Sequence, residues 1–145
     1  MSYSAVLPLW TAVRDRFMKK VNTLTEEELT YSADAMTIGQ LLYHTAEVEY
    51  MFADWFFGQQ TPSDMVKTST TDLAELKQLL IQSNDHLIQA MEQLSDAKWH
   101  ATISSRIGDS TPLEAIGRLI YHTGIHVGQI STIQKLPQNT EVEQS

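Results

Sequence analysis

The chain has 145 residues, of which 18 are acidic and 10 are basic, and its formal net charge is -8. This length suits one domain with a sizeable core. Because the chain has no Lys/Arg-rich patch to neutralise phosphates, we expect no nucleic-acid partner. The absence of cysteine excludes disulfides and thiolate ligands, and it leaves His, Asp and Glu as candidate metal ligands. Any thiol used in chemistry must come from another molecule.

The N-terminal segment shows no sign of export or membrane insertion. It has no basic region before its short apolar run, and Arg14, Asp15 and Arg16 interrupt that run. No stretch approaches the ~18 uninterrupted apolar residues of a membrane span. We therefore expect a cytoplasmic protein without membrane contact.

The chain begins with a predicted helix over residues 7–24, in which apolar residues recur every four positions on one face. They are Leu9, Val13, Phe17 and Val21. Pro8 is tolerated there if it lies in the first turn. A polar linker follows, in which Thr25 and Glu28 have the spacing of a capping box and predict one short helical turn.

The second predicted helix carries a histidine on its inner face. Thr37 is its expected N-cap, Gln40 occupies the N3 position, and the helix runs to Phe57. Its inner stripe contains Leu41, His44, Val48, Met51 and Trp55. Residues 58–70 are rich in Gly, Pro, Ser and Thr and form a loop, whose length suggests a lid or a crossover.

The third helix is predicted to start near residue 70, with Asp72 and Glu75 favourably placed at its N-terminus, and to run to about Ala97. Its inner stripe contains Leu73, Leu76, Leu80, Ser83, Leu87, Met91 and Leu94. Residues 99–112 are ambiguous: they suggest a turn or a small hairpin but no convincing strand.

The fourth helix has the clearest start in the chain, with Thr111 as N-cap, Pro112 at N1 and Glu114 as the capping-box carboxylate. Pro137 ends it. Residues 138–145 form a polar tail that we expect to be mobile.

Four amphipathic helices predict an all-α protein, an antiparallel up-and-down four-helix bundle in a single domain over residues 1–137. Side chains from facing helices converge on the interior of such a bundle. His122 and His126 lie four residues apart on one face of the fourth helix, and His44 lies on the inner stripe of the second.

Two motifs resemble a known family. The segment IGQLLYHTAEVE contains His44, and RLIYHTGIHVGQIS contains the His122-x3-His126 pair. Together they resemble the DinB-like (YfiT-like, damage-inducible) family of metalloenzymes, and the resemblance covers nearly the whole chain. It implies a four-helix bundle, usually dimeric, in which His44, His122 and His126 bind a divalent metal. This chain has Val127 where many members have Arg, and Ile125 where a further His is frequent; neither change removes a ligand.

The chemistry of these histidines also supports a metal site, independently of the family resemblance. A buried imidazole with an unpaired nitrogen costs roughly 1–3 kcal/mol, and one divalent ion would satisfy three of them together. Three protein ligands and an open fourth position are typical of catalytic zinc. Imidazole suits nickel, copper and iron as well, and we expect zinc or nickel. The alternative is a bundle whose histidines are hydrogen-bonded core residues and bind nothing.

Several neighbouring residues allow two interpretations. Glu47 and Gln129 each lie one turn from a candidate ligand, and each could orient an imidazole or simply be a helix-surface residue. His86 and His100 are predicted surface histidines. The aromatic-rich residues 51–57 could line a substrate pocket, although such a stretch is more typical of a core or an interface.

The fourth helix is apolar on more than one side, since Arg118 is its only formal charge between residues 115 and 134. Its second apolar surface contains Ile116, Ile120, Thr123, Val127 and Ile130. Gly117, Gly124 and Gly128 weaken the helix and suggest close approach by another element. We therefore predict a homodimer that uses part of this helix.

These observations leave two functional hypotheses. The first is a metal-dependent transferase or hydrolase that acts on a small molecule, and the resemblance implies a low-molecular-weight thiol as a further cofactor. Its catalytic residues are not assigned. The second is a metal-binding or ligand-sensing dimer without turnover, because the sequence offers no obvious general base in a tuned environment.

Overall fold

Four long helices form the computed structural model, which describes residues 2–33, 35–63 and 68–138. In chain order the elements are α1 (Ser2–Val21), α2 (Ile38–Phe57), α3 (Leu73–Gln93), the one-turn α4 (Asp96–Trp99), strands β1 (Ile103–Ser105) and β2 (Gly108–Ser110), and α5 (Pro112–Lys135). The predicted four-helix bundle is confirmed. No helix in the described ranges is both long enough and apolar enough to cross a membrane. The tail from residue 139 onwards lies outside the described residues.

The predicted starts of the second and fourth long helices are confirmed by their hydrogen bonds. At the start of α2, the side chain of Thr37 accepts from the backbone N–H of Gln40, and the Gln40 side chain accepts from the Thr37 N–H. Thr111 and Glu114 form the same reciprocal pair at the start of α5. Each box satisfies two N–H groups that have no partner inside the helix. A 3-10 turn also forms in the linker, at Glu27–Thr30.

The inner face of α1 differs from the predicted one. The helix starts at Ser2, so Pro8 lies inside it, and Leu9 is 61% exposed. The buried face instead contains Val6, Trp10, Arg14, Phe17 and Val21. Arg14 lies in the middle of this buried stripe. Because arginine is rarely buried without a partner, the sequence pattern indicated that this face of α1 was exposed to solvent.

The second half of the chain also differs in detail. Helix α3 ends at Gln93, before α4 begins, and β1 and β2 form an antiparallel hairpin. Gly108 in this hairpin has a φ of 104°, a conformation that favours glycine. Arg118 of α5 holds the hairpin by donating to the Ser110 hydroxyl and to the Ile107 carbonyl oxygen. This small hairpin therefore packs against the start of α5.

Helices α1 and α5 run in one direction, and α2 and α3 run in the other. The contacts of α1 with α3 show opposite directions, because Trp10 donates to Asn84 at 2.9 Å and Arg14 donates to the Leu80 carbonyl at 2.7 Å. The chain returns to the starting end of α2 before α3 begins, and Thr70 lies against Gly39 there. The long loop predicted as a lid or crossover is therefore a crossover. Because of this crossover, the consecutive helices α2 and α3 are parallel, which differs from the up-and-down order that the sequence predicted, while α2 and α5 are antiparallel.

Two apolar clusters fill the bundle, one towards each end. Between them lies a buried polar network: the Arg14 guanidinium donates to both carboxylate oxygens of Glu49, at 2.6 and 3.1 Å, and the Ser83 hydroxyl donates to Glu49 at 2.6 Å. All three side chains are almost fully buried. The network joins α1, α2 and α3, so it fixes how these helices are aligned.

Candidate metal centre

Three histidines meet where α2 and α5 face each other. One ring nitrogen from each of His44, His122 and His126 lies within 4.8 Å of the others. The ring centroid of His44 is 5.3 Å from that of His122 and 5.6 Å from that of His126. The two histidines of α5 are one turn apart, and their Nε2 atoms are separated by 2.9 Å. The structure thus brings together all three predicted ligands.

The cluster is buried at one side and open at the other. His126 is 6% exposed, and His122 is half-buried. The side chain of His44 is 40% exposed. A molecule from solvent can therefore reach the cluster beside His44, while α5 closes its opposite side.

Gln129 fixes the orientation of the most buried imidazole. The Nδ1–H of His126 donates to the Gln129 amide oxygen at 2.7 Å. This bond directs the unprotonated Nε2 of His126 towards His122, where it can serve as a ligand. Of the two polar neighbours that the sequence left open, Gln129 is therefore the one that contacts a candidate ligand closely.

Glu47 occupies a different position. Its carboxylate lies 3.9 Å from Nδ1 of His44, beyond hydrogen-bonding distance, and its side chain is 51% exposed. It is therefore a solvated helix residue beside the cluster, which was the second interpretation of the sequence.

Burial keeps the α5 histidines neutral. The pKa of His122 is lowered from 6.5 to about 4, first by desolvation and then by the positive charges that His126 and His44 would carry. Desolvation also lowers the pKa of His126, and its bond to Gln129 opposes this shift. Neutral imidazoles offer lone pairs to a metal, and no proton has to leave them near pH 7.

The donor set fits one divalent cation. Two imidazole nitrogens bound to the same zinc ion at about 2.0–2.1 Å in a tetrahedral site lie about 3.3–3.4 Å apart. The separations in the cluster, from 2.9 Å up to 4.8 Å, bracket this value. Small side-chain rotations would bring the three nitrogens to one ion, and the residues present could therefore hold it.

The other two histidines lie elsewhere. His86 is half-buried, with its ring 5.3 Å from that of Tyr50 and its Nε2 3.3 Å from the Gln59 carbonyl oxygen. It is thus less exposed than predicted. His100 is exposed, as predicted.

The aromatic-rich end of α2 is mostly core. Phe52, Phe56 and Phe57 are buried, and Phe57 packs edge-on against Trp99 at 5.2 Å. Met51 is 37% exposed, so it does not lie on the buried face of α2 as the sequence predicted. The structure therefore favours the interpretation of residues 51–57 as core.

The second apolar surface of α5 is covered inside the bundle. Ile116, Thr123 and Ile130 are buried, because α1 packs along this side of α5. The exposed apolar positions of the helix lie on another face, at Leu113, Tyr121 and Ile125. The prediction had placed the outward apolar surface on the wrong side of α5.

A four-helix bundle with three histidines gathered between its second and last long helices defines a class of candidate mononuclear metalloprotein. The chain belongs to the DinB superfamily, whose sequence model matches residues 9–130 and so includes all three histidines. No curated protein matches the chain. The resemblance of its motifs to the DinB-like family is thereby confirmed.

Proposed function

We propose that this protein is a divalent-metal-dependent enzyme, a transferase or hydrolase, with His44, His122 and His126 as the metal ligands. The observation that carries the proposal is the convergence of three ring nitrogens within 4.8 Å from two separate helices. Imidazole ligands suit zinc or nickel. Three protein ligands leave a position for a further molecule, as in catalytic zinc sites.

Two of the three histidines have distinct parts in this proposal. His126 is held by Gln129 and fixes the inner side of the site. His44, on the facing helix, borders the solvent and gives substrate its access. A divalent cation held there supplies Lewis acidity, which lowers the pKa of a coordinated water or thiol.

A low-molecular-weight thiol is the proposed co-reactant. The chain contains no cysteine, so a sulfur nucleophile must enter from solvent. The open side at His44 provides the route, and the substrate would be a small molecule that enters the same way. We place the protein in the cytoplasm, where such thiols are kept reduced.

Elemental analysis tests the metal assignment directly. Wild-type protein, purified without chelators, is expected to contain about one zinc or nickel ion per chain, and His122→Ala is expected to lose most of it. His100→Ala is the matched control, because it removes an exposed histidine outside the cluster. Equal metal content in wild type and His122→Ala would reject the site.

A metal-binding or ligand-sensing protein without turnover is the alternative. It is favoured by one observation: in the described ranges, no carboxylate forms a hydrogen bond with the three histidines, and Glu47 lies 3.9 Å from His44. Cobalt-substituted protein separates the two functions. A visible spectrum that changes on addition of 2-mercaptoethanol shows the exchangeable position that the enzyme requires, whereas an unchanged spectrum supports a metal-binding protein without turnover.

The proposed assembly is a homodimer through the exposed face of α5. Leu113, Tyr121 and Ile125 are exposed there, and no atom lies within 4 Å of a Cβ placed on Gly117 or Gly124. These glycines are therefore not required by packing within one chain. Their open surface would allow the same helix of a second copy to approach closely.

A further inference from the structure

A cavity of about 600 Å³ lies beside the histidine cluster, between the last turns of α5, the start of α2 and the described residues Ala33, Ala35 and Met36 that precede α2. Its walls include Met36, Leu41, Gly128, Gln129, Thr132 and Ile133. This volume is within the range of about 300–1,000 Å³ for small-molecule sites. Among the described residues, no charged side chain lines it.

Two polar groups are placed in this otherwise apolar cavity. The Gln129 oxygen is used by His126, and the Gln129 amide nitrogen has no partner among the described residues. The hydroxyl of Thr132 likewise has no partner in that part of the chain. Residues three apart on a helix are neighbours, so these two groups share one wall. A few polar groups in an apolar surround are what orients a ligand in such sites.

We propose that this cavity binds a small uncharged molecule with an aliphatic body and a hydrogen-bond acceptor such as a carbonyl. The aliphatic body packs on Met36, Leu41 and Ile133, and the carbonyl oxygen accepts from the Gln129 amide or the Thr132 hydroxyl. A charged ligand is disfavoured, because the described walls offer no counter-charge to offset its desolvation. The site requires no bound metal.

Gln129 belongs to both the cavity and the histidine cluster. Its oxygen holds His126, and its side chain lines the cavity. A ligand that moves this amide also moves the hydrogen bond that orients His126. Binding in the cavity and binding at the histidines are therefore coupled, and the coupling is reciprocal.

The test uses metal-free full-length protein and the 2-alkanones from 2-butanone to 2-nonanone. Titrations are followed by NMR of the Leu41 and Ile133 methyl groups. Affinity is expected to rise about two- to fourfold with each methylene until the cavity is filled. Alkanoates of the same chain length are expected to bind at least tenfold more weakly, because they carry a charge.

Matched variants locate the binding. Thr132 is at an exposed position of α5, and the indole of Thr132→Trp should fill the cavity. This variant should abolish the increase in alkanone affinity with chain length. Gln89→Trp, at an exposed position of α3 away from the cavity, should leave it unchanged. Because the protein is metal-free, the result stands whether or not the histidines bind metal.

Three outcomes would overturn the proposal. The first is the absence of saturable methyl shifts with the longest alkanone, and the second is equal binding by wild type and Thr132→Trp. The third is that the methyl chemical shifts of Leu41 and Ile133 change with protein concentration but not with alkanone concentration. This result would show that a second copy of the chain covers the cavity.

Discussion

His126 donates its Nδ1–H to the side-chain oxygen of Gln129 at 2.7 Å, and this bond turns the Nε2 of the ring towards His122. A ligand imidazole held through its other nitrogen is already oriented and in the correct tautomer. The use of an amide adds no negative charge to the site. Gln129 is thus a positioning residue for the proposed metal centre.

Replacing Gln129 by Leu is expected to lower metal affinity about 10- to 100-fold, because His126 loses the partner that orients it. Gln129→Glu retains an oxygen acceptor and should keep most of the affinity. Gln89→Leu, the same replacement at an exposed site on α3, is the control. Competition titration with a chromophoric chelator gives the affinities. A wild-type affinity in Gln129→Leu would assign no positioning role to this residue.

The Arg14 and Glu49 pair predicts a large effect on stability. Glu49→Leu leaves the buried guanidinium without a counter-charge and should destabilise the fold by about 3–5 kcal/mol. The double variant Arg14→Met, Glu49→Leu removes both charges and should recover much of this loss. Urea unfolding measures both free energies. A double variant that is as unstable as Glu49→Leu alone would contradict this account.

Gly39 is expected to tolerate no side chain. A Cβ on this residue would overlap the carbonyl oxygen of Thr70 and lie 3.2 Å from that of Leu29. Both are backbone atoms that cannot rotate away, so Gly39→Ala should lose stability at or above the upper end of the about 1–3 kcal/mol typical of overpacking. Gly117→Ala, with open space around its Cβ within the chain, should stabilise the monomer by up to about 1 kcal/mol. Thermal unfolding of the two variants distinguishes these effects.

The metal-free protein should lose stability as the pH falls from about 6.5 towards about 4. The pKa of His122 is lowered to about 4 in the folded state, so the unfolded chain binds this proton first. The contribution of His122 to the free energy of unfolding is therefore fully present above the pKa of the unfolded chain. It is lost as the pH falls to the pKa of the folded state. The measurement is the melting temperature against pH in chelator. Since other groups titrate in both proteins, the comparison is with His122→Gln, which should show a shallower decline.

The His122–His126 pair could be predicted from the sequence because it depends on local spacing, and its meeting with His44 was implied by the resemblance to the DinB-like family. Residues four apart lie on the same face of an α-helix, as His122 and His126 do. His44 lies on the apolar stripe that the sequence predicts for the second helix. The burial of Arg14 could not be predicted in this way, because its partner Glu49 lies 35 residues away and both look like surface charges. The pattern of α1 was therefore assigned to the neighbouring face that contains Leu9.

The cavity and the helix directions depend on still longer separations. Met36 and Thr132 reach the same cavity only after α2 and α5 have packed. The crossover that sets this packing ends near Thr70, against Gly39. A loop composition reveals that the chain turns, but it does not reveal at which end of the bundle the next helix begins. Gln129 lies at i+3 from His126, and this spacing was the only signal of its contact.

The exposed face of α5 gives the final prediction, which concerns assembly. Tyr121 is 72% exposed on α5, between Gly117 and Gly124 in the chain. If a second copy covers this face, Tyr121→Glu places a charge in the interface and should convert a dimer at micromolar concentration into a monomer. Ile81→Glu, an equally apolar exposed site on α3, should leave the dimer intact. Sedimentation velocity measures all three proteins. A strictly monomeric wild type at this concentration would exclude the dimer.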